Sequence, residues 1–273
     1  MSIKGGNWQI FAHMLNASRA TLHLSTKVSK VERLKDNTYL LSSSPTSAED
    51  VPTVSHSSAI YDEIILAAPK QFSHVDFVPE PVHSPDTIPY VQLHVTLFTS
   101  KHPLSPAYFN LAPAEKVPRV VLTTLPEGER LGSDPNGVGS PGFFSISTLR
   151  PTMDTRDGRA QREFLYKVFS PEPVNDAFLA DILGIREDEE RSAVGEGDVS
   201  WAYRKVWHSY PYEYPRVTFE DVRLDKGLWY TSGIESFIST METSSLMGMN
   251  VAKLIVDGWI GEHKDRGGYG REL

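Results

Sequence analysis

The chain contains no cysteine. A thiol nucleophile, a thiolate-ligated metal and a disulfide framework are therefore excluded, while the compartment is left open. Long apolar runs are missing as well: nothing approaches the length that crosses a bilayer, and Met1-Ser2-Ile3-Lys4 has none of the features of a signal peptide. Basic runs are equally scarce. Lys and Arg number 27 against 35 Asp and Glu, a formal net charge of −8, so nucleic acid is not an expected partner. What is present is an ordinary globular composition of 273 residues, 40% hydrophobic, with 19 glycines and 19 prolines. A chain of that length can bury a sizeable core in one domain or two.

Common catalytic signatures are also lacking. There is no Gly-x-Ser-x-Gly elbow, no His-Glu-x-x-His pair and no Gly-Lys-Ser/Thr phosphate loop. His94 and His208 have no partner at metal-ligand spacing, so both are expected to be structural and no metal site is expected. Gly137-Val138-Gly139-Ser140-Pro141-Gly142 matches the letters of a dinucleotide fingerprint. It follows Asp134-Pro135-Asn136 and precedes the strand-like Phe143-Phe144-Ser145-Ile146, whereas the fingerprint needs a strand before and a helix after. A loop is expected there. Asn16-Ala17-Ser18 fits a glycosylation acceptor, a tripeptide that arises often by chance.

Periodicity then lays out the elements. Gly5-Gly6 opens a helix with Trp8, Phe11, Ala12 and Leu15 on one buried face, the glycines serving a tight turn and a close backbone approach to a ligand. Strands are expected at 21–24, 27–34 and 39–43, a Ser- and Pro-rich loop at 42–59, and a buried strand over 61–69. Residues 90–98 alternate, with Val91, Leu93, Val95 and Leu97 on one face and Gln92, His94 and Thr96 on the other. Further strands are expected at 117–125, 143–149 and 164–169, then a helix opened by Ser170-Pro171-Glu172 and closed by Gly184. Residues 186–198 read as a solvated charged loop.

Two segments carry chemistry. The aromatic–proline run from Trp207 to Pro215 suits the wall of an apolar pocket, with core packing a near-equal alternative. Leu228-Trp229-Tyr230-Thr231-Ser232 reads as a strand broken by Gly233, followed by a Ser239-x-x-Glu242 capping box. The helix it opens has Leu246, Met249, Ala252, Val256 and Trp259 as its apolar face, and a loose polar tail follows from His263. A strand ending in glycine before a helix N-terminus can meet a large, partly anionic cofactor; an ordinary strand–helix connection has the same pattern.

Taken together, GGNWQIFAHML, YDEIILAAP, VFSPEPV, WHSYPYEYP and LWYTSGIESFISTMETSSLMGMNVA resemble the prenylcysteine oxidases, also called prenylcysteine lyases. They follow the family's order from Gly5 to about Trp259. The layout is more distantly similar to the flavin-containing amine oxidases, although the acidic or aromatic cage of a polyamine oxidase is not evident.

The resemblance implies an α/β protein, α+β in the portion present, in which a partial FAD/NAD(P)-binding domain is interrupted by an antiparallel-sheet substrate domain. Residues 1–69 would be the partial FAD-binding domain, 70–205 the substrate domain, and 206–273 the return to the first. It implies FAD as cofactor and oxidation of farnesyl- or geranylgeranyl-cysteine to a prenyl aldehyde, cysteine and hydrogen peroxide during catabolism of prenylated proteins. Molecular oxygen would be the final acceptor, and a lysosomal or vacuolar setting goes with the family. Val28 matches the place where such flavoproteins pair backbone with the adenine. Gly233, Ile234 and Glu235 match the strand end near the ribityl chain, and Thr240, Met241 and Glu242 match the helix start beneath the flavin ring. Trp207 and Tyr210 are expected pocket walls; no catalytic base carries over. The matched segments begin after the family's strand–Gly-x-Gly-x-x-Gly–helix unit. Two expectations follow: dependence on a separate N-terminal half, or an inert fragment or isoprenoid-binding module without flavin of its own.

Overall fold

The computed structural model describes residues 3–46, 57–124, 127–128, 137–156, 158, 160–185, 194–195, 197–213 and 215–267. Of the expectations above, residues 47–56 of the loop expected at 42–59, the charged residues 186–193 and the tail from 268 onward lie outside those residues; residues 42–45 and 57–59 are paired strands instead of loop. The elements in chain order are α1 (Trp8–Ser18), β1 (Thr26–Arg33), β2 (Tyr39–Pro45), β3 (Ser57–Tyr61), β4 (Ile64–Leu66), α2 (Lys70–Ser73), β5 (Asp76–Val78), β6 (Tyr90–Ser100), β7 (Val120–Leu122), β8 (Ser145–Asp154), β9 (Gln161–Ser170), α3 (Asp176–Leu183), β10 (Val199–Pro211), β11 (Arg223–Asp225), β12 (Leu228–Tyr230) and α4 (Met241–Gly267). The fold is thus mixed α/β with several sheets, most strand pairs being antiparallel. Two compact units emerge: residues 1–88 with 213–273, and residues 89–212.

The first unit holds two sheets. One has the order β3-β2-β1-β5, antiparallel except for the β1–β5 pair. The other, β11-β12-β4, joins β12 to β4 in parallel, with Leu228 beside Ile64 and Tyr230 beside Leu66. The expected strand over 61–69 therefore divides at Asp62-Glu63: Tyr61 ends an antiparallel meander, and only Ile64–Leu66 reach the parallel pair. The strand expected at 21–24 does not form, because no neighbouring strand among the described residues pairs with it. Gly5 and Gly6 do make a tight turn, at φ +94° and +113°, where a side chain would be strained. The helix they open buries none of its residues, contrary to the buried face expected of α1.

A long helix then packs on the short parallel sheet. Val251 and Ile255, one turn apart on α4, are buried against Trp229, with Met247 half-buried beside them. The expected apolar stripe is the wrong one: Leu246, Met249, Val256 and Trp259 are exposed. Nearly every face of α4 carries apolar residues, so periodicity offered two stripes and the sheet selected one. The helix also runs on to Gly267, through the start of the expected loose tail.

The second unit is one antiparallel sheet, β10-β6-β9-β8-β7, with α3 on one face. Phe98, Ile146, Tyr166 and Val168 on that face interlock with Leu179 and Ile182. Each such side chain contributes roughly 1.5–3 kcal/mol by leaving water. The helix starts later than Ser170: the Asn175 side chain accepts from Phe178 N at 2.9 Å as its cap. Pro173 explains the delay, since the residue before a proline is pushed out of helical conformation. Gly184 closes α3 at φ +64°, as expected. The glycines at 137, 139 and 142 lie in a loop leading to β8, with no helix after them, also as expected.

Candidate functional site

Behind β12 the chain makes a single 3-10 turn, Ser232–Ser236, before α4 begins. Gly233 sits inside this turn, and a Cβ there would lie 2.7 Å from Glu220 Cβ. Arg216 donates to Ser236 Oγ, and its second terminal nitrogen donates to Glu220 Oε1 at 2.9 Å. Gly233 thus lets the 216–220 segment close over the turn. Its backbone φ is unstrained; absence of a side chain is what the packing requires.

The start of α4 is capped one residue later than the Ser239–Glu242 pattern. Thr240 Oγ1 accepts from Thr243 N at 3.2 Å, and Thr243 Oγ1 accepts from Thr240 N at 3.2 Å. A threonine at the third position does the work the capping box assigns to glutamate. Ser239 N instead donates to Glu213 Oε1 at 2.9 Å. The first-turn carboxylate of Glu242 complements the positive end of the helix.

The turn and the helix start border a cleft of about 830 Å3. Phe11 and Met14 of α1 form one side, and Met241 and Met249 of α4 form the other. Glu235 and Thr240 bring polarity, while Ser244, Ser245 and Gly248 keep the helix wall low. Among the described lining residues only Glu235 is ionisable. Close by, burial pushes the Tyr230 phenol above its ordinary range; a bond to the Lys70 backbone opposes this, and the carboxylates of Glu235 and Glu220 add to it. Such a cleft can hold a flat apolar group whose polar edge turns toward the helix N-terminus. Among the described residues no group of three or more His, Asp and Glu could hold a metal ion.

Three of the residues expected around a flavin, Glu235, Thr240 and Met241, meet at this cleft. Ile234 is half-buried in the adjoining turn, and Glu242 is exposed on the first turn of α4. Val28 lies elsewhere in the same unit, half-buried on β1 beside a β-bulge. It lines a separate hollow of about 460 Å3 with Leu41, Ala59 and Tyr61. Trp207 and Tyr210 belong to the other unit, on β10, and are 50% and 52% exposed. A bulge between His208 and Tyr210 matters here. It pairs Trp207 with Leu93 and Tyr210 with Val91, so both rings stand on one face of the sheet.

With this geometry in place, the family model described as prenylcysteine lyase matches residues 1–266. The chain belongs to the prenylcysteine lyase family. Farnesylcysteine lyase of Arabidopsis thaliana is 28% identical over 257 residues, covering 93% of this chain and 42% of that protein. Prenylcysteine oxidase 1 of Homo sapiens is 24% identical over 97% of this chain and 48% of its own length, and that of Rattus norvegicus 25% over 95% and 47%. The chain therefore spans less than half the length of these curated relatives. No helix among its described residues is long and apolar enough to cross a membrane.

Other site-like residues in this family member escaped sequence reasoning. Both carboxylate oxygens of Glu63 are bonded, Oε2 by Trp229 Nε1 at 2.7 Å and Oε1 by Trp259 Nε1 at 3.1 Å, clamping α4 to the sheet. Asp198, within the stretch expected to be solvated, is buried and lies 2.9 Å from His102 Nε2. Neither long-range pair has a local signal. Trp201 and Tyr203 do: with Lys205 and Trp207 they repeat at period two, the spacing of one strand face.

Proposed function

We propose that this chain is the substrate domain and flavin-facing portion of an FAD-dependent prenylcysteine oxidase. In the overall reaction, farnesyl- or geranylgeranyl-cysteine, oxygen and water give a prenyl aldehyde, free cysteine and hydrogen peroxide. Unit 1, with the parallel β4–β12 pair, is assigned to the FAD-binding domain, and unit 2 to the substrate domain. The observation that carries this is the cleft where Glu235, Thr240 and Met241 converge at the start of α4.

The residues present fit the ring end of a flavin: an apolar wall from Phe11, Met14 and Met249, and the positive N-terminal end of α4 at Met241. Among the described residues, no strand–Gly-x-Gly-x-x-Gly–helix unit cradles a pyrophosphate. When bound, the flavin supplies a two-electron acceptor that oxygen regenerates. The protein's part is placement. Phe11 and Met14 exclude water from one side, the α4 N-terminus favours negative charge on the facing ring edge, and Glu235 sets the polarity of the rim. No nucleophile is required, in keeping with a chain free of cysteine and of triad motifs.

The test is to purify the chain with added FAD and record visible absorbance and peroxide release from farnesylcysteine. Gly248 lines the cleft and has nothing within 4 Å of a built Cβ, so Gly248→Trp fills the cavity without disturbing the helix. Wild type is expected to retain flavin and release peroxide, and Gly248→Trp to lose the flavin. Equal flavin retention by both proteins would overturn the cleft assignment. Flavin-loaded wild type that releases no peroxide would overturn the activity.

A further inference from the structure

The two edges of the unit 2 sheet are unequal. On one side β7 is only three residues long, which gives a passing strand little to pair with. On the other, β10 runs for 13 residues and, among the described residues, pairs only with β6. Its ladder is regular from Trp201 to His208, between the two bulges, a run of roughly 26 Å. Every residue of that run is exposed. Side chains alternate along a strand, so Trp201, Tyr203 and Trp207 fall on one face and Ala202 and Val206 on the other. Trp201, Tyr203, Val206 and Trp207 are 46–50% exposed. Apolar residues on both faces are usual in strands covered from both sides and unusual at a solvated edge.

Charge limits what the edge can accept. In a chain of net charge −8, Arg204 and Lys205 stand side by side at the centre of the regular run, and β10 contains no Asp or Glu. Their side chains project to opposite faces, beside Thr96 and Val95 of β6, which bring no carboxylate. Among the described residues neither forms an ion pair. Charges can also discourage pairing, but on edges that are otherwise polar; here Tyr203, Val206 and Trp207 flank them. A second copy does not suit this edge. Pairing two β10 strands antiparallel over the same run sets Arg204 of each copy opposite Lys205 of the other, and like charges directly opposite destabilise a sheet. The complementary strand has two consecutive carboxylates, one for each face, between apolar residues that cover Tyr203, Val206 and Trp207.

We infer that the outer edge of β10, from Trp201 to His208, receives an extended strand of another polypeptide, with an acidic pair opposite Arg204 and Lys205. Main-chain hydrogen bonds along the edge hold the strand, and the acidic pair sets its register. A slip of one residue leaves one carboxylate against Tyr203 or Val206 instead of a cation. The Trp201 and Tyr203 rings lie within 8° of parallel with centres 6.5 Å apart, and Lys205 Nζ lies 5.5 Å from the Trp207 ring centre. That row is therefore ordered before a partner arrives, which lowers the entropy lost on docking. Covering it removes aromatic surface from water. The assembly is independent of the cleft at α4 and of any cofactor held there.

The probe is a fluorescein-labelled peptide, Thr-Val-Ile-Glu-Glu-Ile-Val-Thr, titrated against the full chain and followed by fluorescence anisotropy and amide exchange. Saturable binding is expected, with exchange slowed in β10 and unchanged in β7. The same peptide with Lys-Lys in place of Glu-Glu is expected to bind about tenfold more weakly. Arg204→Glu/Lys205→Glu changes two exposed side chains and is expected to reverse that order, so that tight binding of the lysine peptide also reports a folded variant. N-methylation of every second amide of the glutamate peptide is expected to abolish binding in one of its two phases and spare it in the other, because only alternate amides of an added strand face the edge. No saturable binding of the glutamate peptide to wild type, or the same effect of N-methylation in both phases, would overturn strand addition. An unreversed order in the charge variant would overturn the acidic register. A dimer of the chain alone that the peptide dissociates in sedimentation equilibrium would replace the partner polypeptide with a second copy.

Discussion

The two units bury their apolar residues in different ways. In residues 89–212 one sheet and α3 share a continuous core in which Phe98, Ile146, Val168 and Ile182 are fully enclosed. In the other unit the core is split: Val31, Tyr39, Phe77 and Leu224 gather beneath the meander, and Trp229, Val251 and Ile255 gather beneath α4. Trp8, Phe11, Leu246 and Met249 stay exposed there. A shared core concentrates stability, whereas small clusters rely on individual polar ties such as Glu63 with its two indoles. The difference also sorts function. The cleft proposed for the cofactor is built from the unit whose core is split, where apolar side chains of α1 and α4 are left outside it.

Breaking the shared core is expected to have the largest effect. Phe98→Ala should cost about 3–5 kcal/mol, read as a lower denaturant midpoint and faster hydrogen exchange in β6 and β9. Cutting the tie in the other unit ranks next. Glu63→Leu strands the buried Trp229 N–H and should cost about 1–3 kcal/mol, with exchange quickened along α4 while β6 keeps its protection. Equal losses of protection in both units would show that the comparison is false and that the chain unfolds as one body.

A pH effect should follow. Burial first, then the nearby Asp225 carboxylate, push the Tyr39 phenol up to about 12, and its hydroxyl donates to Lys226 O at 2.6 Å. The group prefers to be protonated in the folded state. Its contribution is therefore complete below the ordinary tyrosine range near 10 and is lost as pH rises toward 12. Urea midpoints should fall across that window, and Tyr39→Phe should flatten the fall. The smallest effect on stability is expected at Met249, 71% exposed: Met249→Ser should stay within about 0.5 kcal/mol of wild type while weakening flavin retention. A large loss of stability would mean that α4 packs on a different face.

Much of the fold was legible where the signal is local. The β1–β2 hairpin, the long strands β6, β8 and β9 and the glycine that ends α3 follow from alternation and conformational preference. The cleft was half legible: Glu235, Thr240 and Met241 were expected together, whereas Gly233 turned out to answer to Glu220 and Val28 to another hollow. Glu63 and Asp198 were invisible because their partners lie far along the chain.

By itself, then, the sequence determined the kinds of element, the family and the presence of a capped helix after Leu228-Trp229-Tyr230, because propensity, turn chemistry and motif order are properties of short segments. Tertiary structure alone decided which stripe of α4 is buried, and that a bulge between His208 and Tyr210 brings Tyr210 onto the face of Trp207. The physical reason is shared. An apolar helix and an aromatic strand each offer more than one face, and only the register with a neighbour chooses between them.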